Sequence, residues 1–146
     1  MTEKPCPFCE INTGRAPATF VHEWSDAIAI VPLNPVVDGH TLVIPKTHVT
    51  DFVADPIVSA ATMRRAAQLA GTYPAGAMNL ITSRGREATQ SVFHLHLHLV
   101  PRAENDGLAL PWYSGKRKTG IQVNVQPKPD DDGAYARGFA AGRRAR

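Results

Sequence analysis

The chain has 146 residues, 43% hydrophobic and 20% charged, which suits one soluble globular domain and leaves little room for a second. No apolar run approaches membrane-spanning length, and Met1-Thr2-Glu3-Lys4-Pro5 lacks a signal peptide's apolar core, so a cytoplasmic protein is expected. The net charge of +3 is uneven: residues 1–112 carry 8 Lys/Arg against 10 Asp/Glu, residues 113–146 carry 8 against 3, and the basic balance belongs to the tail.

The only cysteines, Cys6 and Cys9, form Cys-Pro-Phe-Cys. A structural disulfide is not expected in a reducing cytoplasm. A thioredoxin-like site needs a strand entering the motif and a helix starting inside it. Only five residues precede Cys6, and Pro5 and Pro7 stand on either side of it, which disfavours that reading. A two-thiolate metal clip suits the pair better but needs two more ligands from elsewhere.

Thr19–Glu23 and Ala27–Val31 are β-rich runs joined by Trp24-Ser25-Asp26, a hairpin pattern that Pro32-Leu33-Asn34-Pro35 ends. Asp38-Gly39 makes a turn into a strand at His40–Pro45. Asp55 caps a helix with Pro56 at its first position, and Gly71 marks its end. Met78–Thr82 reads as a short strand and Gln90–Val100 as a long one. Strands, one substantial helix, then strands predict an antiparallel α+β domain over residues 1–112. Beyond it lies a basic extension, 113–146, in which Ile121–Val125 alternates like a late or edge strand. Nucleic-acid binding by this tail is not expected, because its charges lack interleaved aromatics.

The predicted last strand carries Phe93-His94-Leu95-His96-Leu97-His98-Leu99-Val100. Alternation puts Leu95, Leu97 and Leu99 on a core face. His94, His96 and His98 then line the other, each roughly 6.6–6.8 Å of chain rise from the next. Imidazoles near neutral pH serve as nucleophile, proton donor or metal ligand. Three readings stand at this point: a half-exposed strand, a catalytic metal held by the three rings, and covalent catalysis on phosphorus by the middle ring.

Two further segments bear on the choice. Gly39-His40-Thr41-Leu42-Val43-Ile44-Pro45-Lys46-Thr47-His48 stands upstream, and Gln90-Ser91-Val92-Phe93 leads into His94. With them the chain resembles the histidine triad (HIT) family of nucleotide hydrolases and transferases. His94–Val100 matches the family hallmark His-φ-His-φ-His-φ-φ, where φ is hydrophobic. The resemblance, covering about residues 6–112, implies an α+β HIT-like fold, an antiparallel sheet with one main helix and shorter helical turns, and a homodimer. It implies cleavage of a nucleoside monophosphate, AMP above all, from dinucleoside polyphosphates, phosphoramidates or related conjugates. His96 would attack the α-phosphorus, and His98 would bind phosphate and protonate the leaving group. His40, Gln90, Ser91 and His98 match positions around the phosphates, and Trp112 matches an aromatic that reaches a partner subunit. A structural zinc on Cys6, Cys9, His48 and His94 is implied as well, with no organic cofactor.

The chemistry asks the same of these residues. A backbone carbonyl accepting from Nδ1–H of His96 would leave Nε2 free to attack, and covalent catalysis splits one displacement into two. Three positions depart from the family pattern. Pro32 stands where a ribose-contacting Asp or Asn is common, which leaves Asn34 as the alternative contact. Ser83 replaces a frequent Asn, and Thr89 replaces a frequent Gly before Gln90. Nucleotidyl transfer is the near alternative, differing only in the second nucleophile. The alternatives from other classes are a low-turnover nucleotide-binding or protein-interaction module and a metalloenzyme using His94, His96 and His98.

Overall fold

A computed structural model describes residues 4–110; Trp112, the Ile121–Val125 strand and the extension from residue 113 lie outside the described residues. A compact unit ends at Asp106. In chain order it holds α1 (Pro7–Asn12), β1 (Thr19–Glu23), β2 (Ala27–Val31), β3 (Thr41–Pro45), α2 (Pro56–Ala70), β4 (Ala77–Ile81), a 3₁₀ turn (Arg86–Ala88) and β5 (Leu97–Arg102). The strands form one sheet in the order β1-β2-β3-β5-β4, antiparallel at every pairing. This is the expected α+β architecture. Among the described residues no helix is long and apolar enough to cross a membrane.

Local chemistry accounts for the elements. Pro7 sits in the first turn of α1, where its missing N–H costs nothing. A helix therefore starts inside Cys-Pro-Phe-Cys, and among the described residues no strand leads into it. The β1–β2 turn is closed by Trp24 N–H donating to Ala27 O at 2.8 Å. Asp55 caps α2 by accepting from Ile57 N–H and Val58 N–H, a contact worth about 1 kcal/mol. Gly71 ends α2 as expected, though in a right-handed conformation with φ −64°.

The sheet is covered on both faces, which explains why β2 and β3 are almost wholly buried. Ala29, Val43, Leu95, Leu97 and Leu99 pack with Ala66 and Leu69 of α2. Ile28, Ile30, Leu42 and Ile44 pack with Phe8 of α1 on the other side. Residues directly opposite in an antiparallel pair share a face. His98 lies opposite Leu42, so its ring stands on the α1 side.

The histidine strand is shorter and later than Gln90–Val100. Residues 90–96 approach the sheet without joining its ladder, and β5 spans Leu97–Arg102. The upstream backbone bonds elsewhere: Leu95 N–H donates to Val49 O at 2.7 Å. At the far end Pro101 is tolerated inside β5 because the β3 pairing stops at Thr41–Leu99. Beyond that point only β4 flanks the strand.

Candidate active site and metal centre

The six sequence-predicted histidine and cysteine groups nearest the triad, with His40, fall into two clusters joined by one residue. The first is Cys6, Cys9, His48 and His94, whose ligand atoms all lie within 4.8 Å of one another. His94 Nδ1 is 3.4 Å from Cys6 Sγ, 3.6 Å from Cys9 Sγ and 3.0 Å from His48 Nδ1, and Cys9 Sγ is 3.4 Å from His48 Nδ1. Ordinary zinc bond lengths in a tetrahedron put donors about 3.5 Å apart for S–N and about 3.3 Å for N–N. These four separations stand close to the edges of such a tetrahedron.

The tautomer agrees with that spacing. His94 is wholly buried, and its Nε2–H donates to Pro45 O at 2.8 Å, which leaves the Nδ1 lone pair aimed at the cysteines. Burial pushes His94 toward the neutral form that binds metals. Burial and then the Cys6 sulfur push the Cys9 thiol up, a penalty that a divalent cation relieves by pairing with both thiolates. These four residues are close enough, and of the right chemistry, to bind a metal ion such as zinc.

The second cluster is His40, His96 and His98, on the α1 face. Here backbone groups determine the tautomers. His96 Nδ1–H donates to His94 O at 2.7 Å, so Nε2 carries the lone pair. Thr82 Oγ1–H donates to His96 O at 2.8 Å and holds the same residue from the β4 side. Val36 N–H donates to His40 Nδ1 at 3.1 Å. The remaining proton of His40 is thus on Nε2, which donates to His98 Nδ1 at 2.9 Å. His98 in turn presents Nε2–H. One ring therefore offers a lone pair and its neighbour, 5.0 Å away between centroids, offers a donor.

Burial keeps this cluster neutral. It lowers the pKa of His40 and of His96. His98 is pushed down to about 4, by burial first and then by the neighbouring His96 and His40. In the free protein at neutral pH, His98 donates as a neutral imidazole.

A family model for the HIT domain matches residues 13–105. The chain belongs to the HIT family. A HIT-like protein of Mycobacterium tuberculosis is 40% identical over 111 residues, covering 73% of this chain and 77% of its own. The Arabidopsis thaliana protein named adenylylsulfatase HINT3 is 32% identical over 111 residues, 73% of this chain and 56% of its own. Among solved structures, a HIT family hydrolase from Clostridium thermocellum superposes with a TM-score of 0.63 at 31% identity, covering 71% of this chain and 96% of that one.

The other HIT-motif positions are arranged less uniformly. Gln90 is buried, and its side chain is fully engaged: Oε1 accepts from Gly85 N–H, and Nε2 donates to Thr50 O and Val92 O. It braces the loop that carries Ser91, which is exposed beside it. Asn34 is exposed in the loop between β2 and β3, and its side chain makes no hydrogen bond to another described residue. Thr89, at φ +68°, holds the left-handed conformation that glycine would adopt freely. A cavity of about 700 Å³ opens beside His40 and Thr41, with Val21, Val31, Tyr73 and Met78 among its walls; His96 and His98 do not line it.

Phe8 was missed by the sequence reading as a site residue. Its ring lies edge-on to His94 and to His96, with centroids 5.8 and 5.1 Å apart. Its position between the two cysteines was the available signal. Val36 N–H, Pro45 O and His94 O also shape the site, and being backbone groups they leave no trace in residue identity.

Proposed function

We propose that the protein is a nucleotide hydrolase that releases a nucleoside monophosphate, most simply AMP, from phosphoanhydride or phosphoramidate conjugates. The observation that carries this reading is the pair of opposed tautomers: His96 with a free Nε2 lone pair, His98 with Nε2–H. In this reading His96 Nε2 forms a bond to the α-phosphorus while the bond to the leaving group breaks. The leaving group departs with a proton from the His98 side. An anionic phosphate raises the proton affinity of His98 above its value in the free site, and His40 keeps the ring oriented. Water then attacks the nucleotidyl-histidine and returns a proton to the His98 side; the P–N bond breaks, the nucleoside monophosphate leaves, and His96 regains its lone pair.

The Ser91 hydroxyl and His98 serve the phosphate oxygens, with Gln90 shaping the loop from within and Asn34 reaching the sugar. Zinc on Cys6, Cys9, His48 and His94 would supply structure, tying α1 to the residue before the nucleophile. The reading includes a cytoplasmic homodimer, to which β4, an edge strand among the described residues, would offer its outer side with Ile81 exposed. Trp112 would reach the partner's site, and the domain would extend to residue 112.

The test is a substrate panel on wild type and His96→Asn. Diadenosine polyphosphates, adenosine phosphoramidate and adenylyl sulfate are included, with acid quench to trap the intermediate. Wild type should release AMP and yield a phosphorus-labelled protein; His96→Asn should do neither while still binding AMP. Substantial turnover in the variant refutes covalent catalysis at His96. AMP leaving as an adduct with added phosphate identifies transfer instead of hydrolysis.

A further inference from the structure

Resting on the metal reading of Cys6, Cys9, His48 and His94, we propose that Cys6 and Cys9 are an oxidation site. A peroxide joins them as a disulfide, expels the metal and unseats His96.

The pair is suited to react within itself. These are the chain's only cysteines, both free and half-buried, so a peroxide has access and no third thiol competes. Cys6 stands at the start of α1 and Cys9 one turn in, with their sulfurs within 4.8 Å. A bound metal keeps both as thiolates, the nucleophilic form of sulfur. One thiolate attacks the peroxide's O–O bond, forming a sulfenic acid and releasing hydroxide. The second thiolate attacks that sulfur and expels the second hydroxide. The two cysteines lose two electrons, the peroxide gains them, and two protons convert both hydroxides to water. A divalent ion is left with two imidazoles in place of four donors.

The consequence reaches the candidate nucleophile through two contacts. His94, whose Nδ1 faces both sulfurs, supplies the carbonyl that holds His96 Nδ1–H at 2.7 Å. Phe8, carried between the cysteines, packs against both rings. Once the metal leaves, α1 and the His94 ring lose their common anchor, and the His96 tautomer loses its fixed acceptor. Outer-shell losses of this kind reduce activity about 10–100-fold.

The experiment titrates the zinc-loaded full chain with hydrogen peroxide. It follows zinc release with a colorimetric chelator, thiol state by intact mass after alkylation, His96 by its ring-nitrogen NMR shifts, and AMP release in parallel. Zinc release should track disulfide formation one for one. The His96 signals should broaden or shift, turnover should fall at least about tenfold, and reductant with zinc should restore all four. Protein that takes up no zinc ends the metal reading and this proposal together. Zinc retained after oxidation, or sulfinic acid without disulfide, overturns the proposal alone. Disulfide and zinc loss with unmoved His96 signals overturns the link to the nucleophile.

Discussion

Gly39→Ala puts one methyl group where the structure leaves no room for it. Gly39 has φ +85°, and a Cβ built there lies 3.0 Å from Pro101 Cγ. An L-residue in this conformation costs about 1–2 kcal/mol. A carbon–carbon contact well inside the ~3.5–4.0 Å optimum adds about 1 kcal/mol or more. The expected destabilisation is therefore about 2–3 kcal/mol. Relief by moving the turn would pull on His40, whose Nδ1 is held by Val36 N–H and whose Nε2 holds His98. Urea unfolding with zinc saturating should move the midpoint down by about 1–2 M at unchanged slope. Turnover should fall most for conjugates whose leaving group needs a proton, since His98 loses its orienting partner. A variant within about 0.5 kcal/mol of wild type would refute the steric reasoning. Equal losses across leaving groups would remove the His40–His98 bond from the reaction.

The other expectations concern the histidines and the strained loop. His98 is held near 4 against an ordinary 6.5, so the fold favours its neutral form. That stability is present above about 6.5 and is lost as pH falls toward 4, by up to about 3 kcal/mol; a His98→Asn variant with the same pH slope as wild type in urea titrations overturns this. His94→Ala should behave like loss of a cysteine, with zinc gone by metal analysis and melting temperature lowered. Should it keep both and lose only turnover, His94 belongs to the reaction instead. Thr89→Gly should stabilise the protein by up to about 1 kcal/mol, because relief of left-handed strain outweighs the added freedom of the unfolded chain. A calorimetric midpoint at or below wild type contradicts that balance.

Much of the fold was legible because its signals are local. The cap at Asp55 with Pro56 behind it, the β-rich runs of β2 and β3 and the turn before His40 depend on residues within one or two turns of each other, and the structure reproduces those elements. One reading erred where local pattern met tertiary demand. Gln90–His96 alternates like a strand, yet its backbone bonds to Val49 and the Gly85 turn outside the sheet.

The sequence by itself determined the inventory: three imidazoles at alternate positions, a fourth after Gly39, and two thiols three residues apart. Spacing along a strand is intrinsic to the chain, so those facts needed no fold. Only the tertiary structure decided how the imidazoles divide. His94 turns its Nδ1 to Cys6, Cys9 and His48, while His96 and His98 gather with His40. Those partners stand between 46 and 88 residues away in sequence, and the proton on each ring is assigned by Pro45 O, His94 O and Val36 N–H. Every residue carries a backbone carbonyl, and every residue but proline an N–H, so which of them face a given ring depends on how the chain folds back on itself.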